Sequence, residues 1–414
     1  MGNELPKGWS ITTLGSVLIR MTNGININQT DLCSADALPI SRIETIANEK
    51  IDFSHVKYCI PSIEQEQKYL LKKGDILFSH INSDKHLGKT AIYMDDEPLI
   101  HGVNLLLLRS DENLYHNKCL NYLLKYYRYT GVFLNLAQRA VNQSSINQKK
   151  LSNLEIPLPP LEEQKQIAEK LDKLFDKIAS IKKSTERIPE LLKNFRQQIL
   201  TYAVTGKLIE STPEVRELGE YIDELKYGTS KKADYDVEGY PVLRIPNINN
   251  GEIDSSDLKY AMLDEKEYNQ LALKDGDILV IRSNGSLSIV GQCAIVREQY
   301  EKWVYAGYLI RIRCNNELLP EYLNYIFQSY QVRKQIVEKS HSMSGVNNFS
   351  ADKIKQLEIA WYPVGVQKQI VDKLNVMFGE LNKIERRYNN LCDKLDKLPQ
   401  ALLCKAFKGE LFTK

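Results

Sequence analysis

Two polar loops, one in each half of the chain, carry side chains that can read nucleic acid. Each loop follows a Gly-Asp-Ile-Leu sequence, at 74–77 and at 276–279. The candidate residues are His80, Asn82, Ser83, Asp84, Lys85, His86 and Lys89 in the first loop and Arg282, Ser283, Asn284, Ser286, Ser288 and Gln292 in the second. Arg and Lys pair with guanine, and Asn and Gln with adenine, at base edges in the major groove of DNA. The alternative is an ordinary solvated loop rich in turn-forming residues.

A second set of polar residues closes each half. Its members are Gln143, Ser144, Ser145, Asn147 and Lys149 in the first half and Ser344 and Asn347 in the second. Their donors suit contacts with DNA phosphates, and a capping or linker role is the alternative. Arg42 and Arg244 occupy matched positions and could face phosphate or hold a structural carboxylate. In the basic and aromatic run 125–129, helical spacing favours core packing with solvated charges.

Catalytic motifs are missing. The sequence has no GxxxxGK[ST] phosphate loop and no HExxH zinc motif, and its six histidines are dispersed. Leu158-Pro159-Pro160-Leu161 lacks the polar and aromatic ends with which adenine methyltransferases hold a flipped base. The run 264–266 has the residue types of a nuclease cluster but lies in a polar stretch typical of a surface. The seven cysteines show no CxxC spacing, so neither a zinc site nor a disulfide framework is indicated. We therefore predict no catalytic site and no metal site.

Composition limits the class of protein. A chain of 414 residues with 43% hydrophobic content has room for two to three domains with real cores. The net charge of +2 is close to neutral, so any basic surface for nucleic acid must be local. The N-terminus lacks the apolar segment of a secretion signal, and Pro6 stands where myristoylation requires Ser or Thr. No run approaches the ~20 apolar residues of a membrane span, so we predict a soluble cytoplasmic protein.

The chain repeats itself with a period of about 203 residues. Leu71-Lys72-Lys73-Gly74-Asp75-Ile76-Leu77 returns as Leu273-Lys274-Asp275-Gly276-Asp277-Ile278-Leu279, and Gln164-Lys165-Gln166-Ile167 returns as Gln367-Lys368-Gln369-Ile370. Such a period is too long for a solenoid. It indicates a duplicated domain followed by a duplicated helix, related by a pseudo-twofold repeat.

Two long heptad patterns follow the two domains. In 161–188, apolar residues recur at Ile167, Leu171, Leu174, Ile178, Ile181 and Ile188. In 366–398 they recur at Ile370, Leu374, Met377, Leu381, Ile384, Tyr388, Leu391, Leu395 and Leu398. Alternating steps of three and four residues predict a coiled-coil seam. A lone amphipathic helix cannot bury such a seam, so we predict that the helices pair, in antiparallel orientation, with their seam residues in the core. Pro189 is expected to kink or restart the first helix.

Each half is predicted to be of mixed α and β structure (α+β), with a sheet core and flanking helices. Short β-branched segments at 40–46, 75–79, 90–94 and 103–109 indicate strands, and 113–137 and 317–337 have helical spacing. We divide the chain into a first globular domain at 1–155, a first helical spacer at 156–208, a second domain at 209–358 and a second spacer at 359–414.

This arrangement is typical of a molecular ruler. As helices, 163–188 and 366–398 would be ~39 Å and ~50 Å long. Major-groove faces of DNA recur every ~34–36 Å along one side of the duplex. The spacers could therefore place the two domains about one helical turn apart on one duplex.

The motifs resemble those of a known family. Pro157-Leu158-Pro159-Pro160-Leu161-Glu162-Glu163-Gln164, the heptad helix and Thr205-Gly206-Lys207-Leu208 are similar to the first conserved region of specificity subunits of type I restriction–modification systems. The Gly-Asp-Ile-Leu elements fit the target-recognition domains of that family. The second repeat, Trp361-Tyr362-Pro363-Val364-Gly365-Val366-Gln367, departs from the pattern because it lacks the full proline cluster and the glutamate pair.

The resemblance implies a non-catalytic subunit in which each domain binds one part of a bipartite, asymmetric target in double-stranded DNA. The helices would set the gap and dock two methyltransferase (modification) subunits, and restriction subunits would then join. S-adenosylmethionine would serve the modification subunits, ATP and Mg²⁺ the restriction subunits, and this chain would hold no cofactor. The expected docking residues are Glu162, Glu163, Gln164 and Gln367, and for the first three the alternative is a plain solvated position. Two alternatives stay open: a self-contained nuclease or methyltransferase with an unrecognised motif, and a structural adaptor with two protein-binding domains on a coiled coil.

Overall fold

The computed structural model describes residues 5–140, 143–343 and 345–412, with the backbone alone at 139, 140, 143 and 341–343. The chain divides into two compact units. Unit 1 comprises Met1–Thr185 and Asn390–Lys414, and unit 2 comprises Glu186–Asn389. Unit 1 is therefore built from two separate stretches of chain, whereas unit 2 is continuous. Within the described ranges, no helix combines the length and apolar character that crossing a membrane requires.

The first stretch of unit 1 contains short strands, short helices and one long helix. Its strands are β1 Ser10–Thr13, β2 Leu18–Asn23, β3 Leu38–Ile40, β4 Lys57–Cys59, β5 Ile76–Phe78, β6 Ile81–Asn82, β7 Thr90–Ile92, β8 Leu106–Ser110, β9 Gln138–Ala140, β10 Gln143–Ser145 and β11 Glu155–Leu158. Its α-helices are α1 Ile63–Tyr69, α2 Asn117–Tyr129, α3 Val132–Leu136, α4 Gln148–Ser152 and α5 Leu161–Thr185. Short 3-10 helices lie at Leu14–Val17, Glu44–Ile46 and Phe53–His55.

Unit 2 begins with a helix and then repeats this order of elements. Its helices are α6 Ile188–Val204, α7 Glu265–Leu271, α8 Pro320–Phe327, α9 Tyr330–Lys339, α10 Ala351–Lys355 and α11 Val364–Phe407, the last of which ends in unit 1. Its strands are β12 Glu214–Glu217, β13 Ile222–Tyr227, β14 Tyr240–Leu243, β15 Ile248–Asn249, β16 Glu252–Ile253, β17 Lys259–Ala261, β18 Ile278–Ile281, β19 Ser283–Asn284, β20 Cys293–Ile295, β21 Val304–Tyr305, β22 Leu309–Cys314, β23 His341–Met343, β24 Val346–Asn348 and β25 Glu358–Trp361. Its 3-10 helices lie at Leu218–Tyr221, Ile245–Asn247 and Glu298–Tyr300.

A four-stranded antiparallel sheet lies at the centre of each unit. The strand order is β2-β8-β5-β7 in unit 1 and β13-β22-β18-β20 in unit 2. In β18, Ile278 and Val280 join the core that contains the helices, and Leu279 and Ile281 join a second core. Successive side chains of a strand point to opposite faces. Both faces of the sheet are covered, which explains why the central strands are continuously apolar.

The aspartate of each Gly-Asp-Ile-Leu sequence anchors this sheet. Asp75 is buried, accepts the backbone N–H of Lys72 at 2.7 Å and receives Nε and Nη2 of Arg109 at 2.6 and 2.7 Å. Asp277 likewise accepts from Lys274 at 2.8 Å and receives Nε and Nη2 of Arg313, both at 2.8 Å. A two-pronged pair of this kind is among the stronger charged hydrogen bonds. The repeated sequence is therefore a structural frame common to both units.

The first spacer helix is interrupted and the second is continuous. α5 ends at Thr185, and α6 starts at Ile188 with Pro189 in its first turn. Proline suits a first turn because its missing N–H would have no partner there. The predicted restart at Pro189 is confirmed. α11 runs without a break from Val364 to Phe407 and includes Pro399.

The long helices pack in antiparallel pairs inside each unit. In unit 2 the hydroxyl of Tyr362 donates to the carbonyl of Ala203 at 3.1 Å, while Arg196 pairs with Glu385 at 3.2 Å. In unit 1 Lys182 pairs with Asp396 at 2.5 Å, and Leu171 shares a core with Leu403 and Phe407. The predicted mixed α and β fold, with duplicated halves and antiparallel long helices, is confirmed.

The prediction that every seam residue is buried is wrong at three positions. Ile181, Ile384 and Leu398 are exposed, whereas Val371 and Phe378, which lie outside the heptad steps, are buried. A straight α-helix drifts by ~20° per heptad relative to a strict seven-residue repeat. The buried face of the helix also packs on the globular domain. It is therefore wider than a strict heptad seam and includes positions outside the seam.

Three segment predictions needed correction. The stretch 113–137 forms two helices, α2 and α3, because Gly131 adopts a φ of 78° between them. The stretch 317–337 also splits, where Ser329 caps α9 by accepting from the N–H of Val332. In 40–46 the strand β3 ends at Ile40, and a 3-10 helix follows at Glu44–Ile46.

Candidate nucleic-acid interface

In unit 1 a small antiparallel sheet brings the two candidate sets together. Its strand order is β6-β10-β9. Asn82 lies opposite Ser144, and Ile81 lies opposite Ser145. The hydroxyl of Ser144, which is buried, donates to the carboxylate of Asp84, 60 residues away in the chain. The loop after β5 and the segment that closes the domain thus form one surface.

Exposed polar groups line this surface. Asn82 donates from Nδ2 to the Ser79 hydroxyl at 3.3 Å and accepts the N–H of Ser83 at 2.8 Å. The exposed candidates are Ser83, Asp84, Lys85, Asn147 and Lys149. Asn147 also caps α4, accepting the N–H of Lys150 at 2.8 Å. Gln143 lies in β10, and the description there is limited to its backbone.

The two histidines of the first loop have lowered pKa values. His80 is buried, its Nδ1 has no hydrogen-bond partner among the described residues, and burial lowers its pKa. The pKa of His86 is lowered by partial burial and then by the positive charges of Lys89, Lys85 and Arg128. Both rings are therefore neutral at neutral pH. They can take part in directional hydrogen bonds but do not add positive charge for phosphate.

Lys89 is engaged inside unit 1. Its Nζ donates to the carbonyl of Ala47, and partial burial is the main cause of its lowered pKa. A lysine held in this way is not available to bind DNA phosphates. Lys85 and Lys149 are the exposed cations of this candidate set.

Unit 2 builds the matching sheet, β19-β24-β23, with different side chains. Ser283 lies opposite Asn348, and Asn284 lies opposite Asn347. Asn347 donates from Nδ2 to the carbonyl of Gly285 at 3.0 Å, and Asn284 accepts the N–H of Ser286 at 2.8 Å. The surface is therefore held by its own amide network.

The remaining candidates of the second half lie around this sheet. The hydroxyls of Ser286 and Ser288 are 2.8 Å apart, and Gln292 donates to the Ser288 carbonyl at 3.2 Å. The guanidinium of Arg282 lies 4.7 Å from the centre of the Tyr227 ring, a cation–π contact. Ser344 lies outside the described residues.

Arg42 and Arg244 both hold carboxylates and lie apart from the small sheets. Arg42 is 3.5 Å from Glu44, and Arg244 is 3.0 Å from Asp257. Hydrogen bonds from Tyr235 and then from Arg244 lower the pKa of Asp257. This geometry favours the structural-carboxylate interpretation of the repeated arginine.

The side chains that could bind a metal ion are dispersed over the part of the chain that the structure describes. Among the residues that the structure describes, His, Cys, Asp and Glu form no group of three or more that could hold a metal ion. The cysteines described, at 33, 59, 119, 293, 314, 392 and 404, are all free thiols. What both units have in common is a rigid frame that carries a small polar sheet.

A comparison with protein families explains this duplication. The sequence profile described as the type I restriction modification DNA specificity domain matches the chain twice, at residues 6–190 and 211–391. The chain belongs to this family. It is a DNA specificity subunit, the non-catalytic component of a type I restriction–modification enzyme, as its resemblance in sequence predicted.

Two curated relatives match this specificity subunit over nearly its full length. The EcoKI specificity subunit of Escherichia coli is 31% identical, with 99% of this chain and 90% of the relative covered. The putative MjaX specificity subunit of Methanocaldococcus jannaschii is 33% identical, with 97% and 93% covered.

Two solved structures have the same fold. A chain from a study of complex assembly and conformational transition of the type I restriction–modification system superposes with a TM-score of 0.73 at 19% identity, covering 99% of this chain and 100% of that one. The HsdS subunit from Thermoanaerobacter tengcongensis superposes with a TM-score of 0.64 at 17% identity, covering 99% of both chains.

The candidate docking residues of the specificity subunit fall into two groups. Glu162 is exposed and pairs with Lys165 at 2.6 Å, and Glu163 accepts the indole N–H of Trp9 at 3.0 Å. Gln164 and Gln367 are fully buried. A side chain without exposed surface cannot meet a partner subunit, so these two glutamines do not belong to a docking surface.

Gln164 instead forms hydrogen bonds with three backbone groups of unit 1. It accepts the N–H of His116 at 2.7 Å and donates to the carbonyls of Leu114 at 3.2 Å and Pro159 at 2.8 Å. Gln367 makes the same three hydrogen bonds with residues 203 positions later. It accepts the N–H of Leu319 at 2.8 Å and donates to the carbonyls of Glu317 at 2.8 Å and Tyr362 at 2.7 Å. We call each set of three hydrogen bonds the glutamine clamp. This clamp explains the repeated Gln-Lys-Gln-Ile sequence.

Residues outside the candidate set also shape the interface. Lys125 and Arg128 were expected to be solvated, but Lys125 donates to the carbonyl of Glu49 at 2.9 Å and Arg128 donates to the carbonyl of Lys85 at 2.9 Å. Arg333 of α9 similarly contacts the loop of unit 2. A single arginine in a helix gives no signal in the sequence that distinguishes it from a solvated charge.

An apolar stripe on α6 is open to solvent. Leu191 and Phe195 are 56% and 54% exposed, and Tyr202, at compatible helical spacing, is also exposed. Residues four apart lie on the same face of a helix. Contiguous exposed apolar groups of this kind mark interaction surfaces in many proteins.

Proposed function

We propose that each unit reads one part of a bipartite target in double-stranded DNA, through the sheet β6-β10-β9 in unit 1 and β19-β24-β23 in unit 2. One observation carries the proposal: two separate polar segments converge on the same small sheet in both copies, while the side chains on it differ. A constant frame with variable polar groups is what two different base sequences would require.

The chemistry of these surfaces favours base recognition over charge alone. Asn82 of unit 1 and Asn284 and Gln292 of unit 2 supply the paired donor and acceptor that match adenine in the major groove. Lys85 and Lys149 are exposed and suit phosphate contacts, which position a protein on the duplex. The exposed hydroxyls of Ser83, Ser286 and Ser288 and the neutral ring of His86 add directional hydrogen bonds.

The long helices are the proposed spacer and docking region. In this proposal residues 1–155 and 209–358 recognise DNA, and 156–208 and 359–414 fix the gap between the two parts of the target. Two modification subunits dock on the helical region, where Glu162 and the α6 stripe of Leu191, Phe195 and Tyr202 offer a charged and an apolar contact. Restriction subunits complete the assembly in the cytoplasm.

Cofactors belong to the partners in this proposal. S-adenosylmethionine would supply the methyl group to the modification subunits, and ATP with Mg²⁺ would serve the restriction subunits. The described residues of this chain contribute orientation: they select the DNA sequence and hold it for the partner.

The test is a genome-wide map of N6-methyladenine in the source cell, with and without this gene. We expect one bipartite motif, with two short specific parts and a fixed unspecified gap, to disappear with the gene. Asn82→Ala and Asn284→Ala should each relax a different part of the motif, whereas Gln369→Ala, on an exposed helix position, should leave it intact. An unchanged map in a cell with active modification subunits would contradict the proposal.

A further inference from the structure

We propose that Arg333 and Arg128 are positioning residues for specificity, each holding the backbone of the base-reading loop of its own unit in the conformation that meets DNA. This inference rests on the proposed function of those loops. Neither arginine is placed in contact with DNA. Each acts through the loop that it binds.

In unit 2 Arg333 bridges two carbonyls of the loop 285–292. Its Nη1 donates to Val290 at 2.7 Å and its Nη2 donates to Ser288 at 3.0 Å. Arg333 forms no ion pair with any residue that the structure describes. Burial is the main cause of its lowered pKa. Its five fixed donors suit two neighbouring carbonyls, a geometry that a single ammonium does not reproduce.

The loop is shaped to receive this arginine. Gly291 has a φ of +77°, and a Cβ placed there would lie 2.6 Å from Cγ2 of Ile336 and 3.0 Å from Nη1 of Arg333. Both atoms belong to side chains of α9. A glycine is therefore required for the loop to approach the helix closely enough for the guanidinium to reach Val290.

In unit 1 an arginine also holds a loop carbonyl, but it lies at a different position in the helix. Arg128 of α2 donates from Nη2 to the carbonyl of Lys85 at 2.9 Å and from Nη1 to the carboxylate of Glu49 at 2.5 Å. Gly88, the counterpart of Gly291, has a φ of +74°, and a Cβ there would lie 2.4 Å from Cδ2 of Phe133. Phe133 is in turn the counterpart of Ile336 at the 203-residue offset.

The two arginines do not align in the repeat. The counterpart of Arg333 in the first half is Thr130, and the counterpart of Arg128 in the second half is Gln331. The glycine and the residue that packs on it are in register, whereas the cation that holds the carbonyls is not. A shared requirement for a fixed loop, met by different residues, explains this pattern better than inheritance of one side chain.

A fixed loop is expected to contribute to specificity more than to general affinity. Phosphate contacts supply most of the affinity for any duplex, and base-edge contacts supply discrimination. If the loop is disordered before binding, ordering it costs free energy. That cost weakens only the complex in which the loop forms its base contacts. Loosening it should therefore reduce discrimination while non-specific binding stays the same.

The experiment compares variants in the assembled modification complex. Methylation rates are measured on duplexes with the full target and on duplexes with one base changed in either part. We expect Arg333→Gln to lower discrimination about ten-fold in the part of the target read by unit 2 and to leave the other part unchanged. Arg128→Gln should do the converse, and Arg333→Lys should recover part of the loss because it keeps one charged donor.

A matched control removes a charge from the same helix without touching the loop. Lys334 is exposed and lies 3.8 Å from Glu338, so Lys334→Gln should leave discrimination in both parts unchanged. The salt dependence of binding to non-specific DNA should be the same for every variant. A general loss of folding would lower methylation of all duplexes alike and would not be confined to one part of the target.

Two results would overturn the inference in different ways. If the wild-type chain directs no sequence-specific methylation, the proposed function fails and the positioning role fails with it. If wild-type specificity is present but Arg333→Gln and Arg128→Gln leave it intact, or relax both parts equally, the positioning role alone is rejected.

Discussion

Gln164 and Gln367 place one amide group against three backbone groups each. The amide oxygen accepts from the N-cap residue of an earlier helix, α2 or α8, and the amide nitrogen donates to two carbonyls from different segments. Since both side chains are fully buried, no water can replace these bonds if the amide is removed. The neighbouring glutamines of the same motif, Gln166 and Gln369, are exposed.

Gln164→Ala should destabilise unit 1 strongly. It leaves the N–H of His116 and two carbonyls without partners, and each buried unsatisfied group costs about 1–3 kcal/mol. We expect a loss of roughly 3 kcal/mol in the free energy of unfolding, measured by urea denaturation. Gln166→Ala, two residues away, should change it by less than about 0.5 kcal/mol. Equal effects of the two substitutions would show that the clamp contributes nothing.

His101 makes unit 1 sensitive to acid. It is fully buried, its Nε2 donates to the carbonyl of Leu105 at 2.9 Å, and burial lowers its pKa from 6.5 to about 4, with smaller effects from Arg20 and His80. Between these two pH values the unfolded chain binds a proton that the folded chain does not. Stability is therefore complete above pH 6.5 and falls as the pH approaches 4.

Over that range the wild-type protein should lose about 3 kcal/mol of unfolding free energy through this group. His101→Gln, which retains a donor towards Leu105, should have a shallower dependence on pH in the same urea titrations. The structurally equivalent residue in unit 2 is Tyr305, whose carbonyl accepts the N–H of Thr229 as that of His101 accepts the N–H of Ile25, and a tyrosine does not titrate in this range. A variant with the full wild-type slope would exclude His101 as the cause.

Sequence patterns located several of these residues without revealing their roles. The repeat at 203 residues singled out Gln164 and Gln367, yet their burial depends on backbone 48 to 50 residues earlier in the chain. Asp75 was part of a recognised motif, but its partner Arg109 comes from another strand. Local patterns do not encode such long-range pairings, so a polar residue that recurs in both halves of the chain can be interpreted as functional when it is structural.

At the scale of elements, the long helices and the central strands were predictable and the small recognition sheets were not. Apolar periodicity over 161–188 and 366–398 indicated α5 and α11, because the signal accumulates over many residues. β6 and β19 have two residues each and β10 and β24 three. Strands that short carry no periodicity, and their polar residues are typical of loops.

The two prolines of the long helices should have opposite effects. Pro399 lies inside α11, and proline in a helix interior removes one hydrogen bond and typically costs ~3 kcal/mol. Pro189 lies in the first turn of α6, where it is favourable. We expect Pro399→Ala to raise the unfolding free energy by about 1–3 kcal/mol and Pro189→Ala to lower it slightly. Thermal unfolding midpoints that move in the same direction for both would contradict this account of the helices.

For the whole molecule, the two connections between the units, a turn after α5 and the continuous helix α11, are the sites at which the proposed ruler can be changed. One connection passes through Glu186 and Arg187, and the other passes through α11 at Asn389 and Asn390. These positions correspond to each other in the repeat. Lengthening both by the same number of helical residues changes the connections together.

Insertion of four helix-forming residues at both connections should widen the gap in the methylated motif. Four residues add about 6 Å of helix, just under two base-pair steps of about 3.4 Å. We expect a gap longer by one or two base pairs, with both specific parts of the motif unchanged, in methylation sequencing. The same insertion into the exposed loop 31–36 should leave the gap as it is. A doubly lengthened chain that methylates with the original gap would refute the ruler.

The division of unit 1 between two stretches of chain has a consequence for synthesis on the ribosome. The core of unit 1 contains Leu403, Ala406 and Phe407, which are translated after all of unit 2. Domains fold as units while the chain emerges. Unit 2 can complete its core once Asn389 has left the exit tunnel, whereas the half that is translated first has to wait for the last helix. A chain truncated after Asn389 and released from the ribosome would thus contain all of unit 2 but lack the residues that complete the core of unit 1.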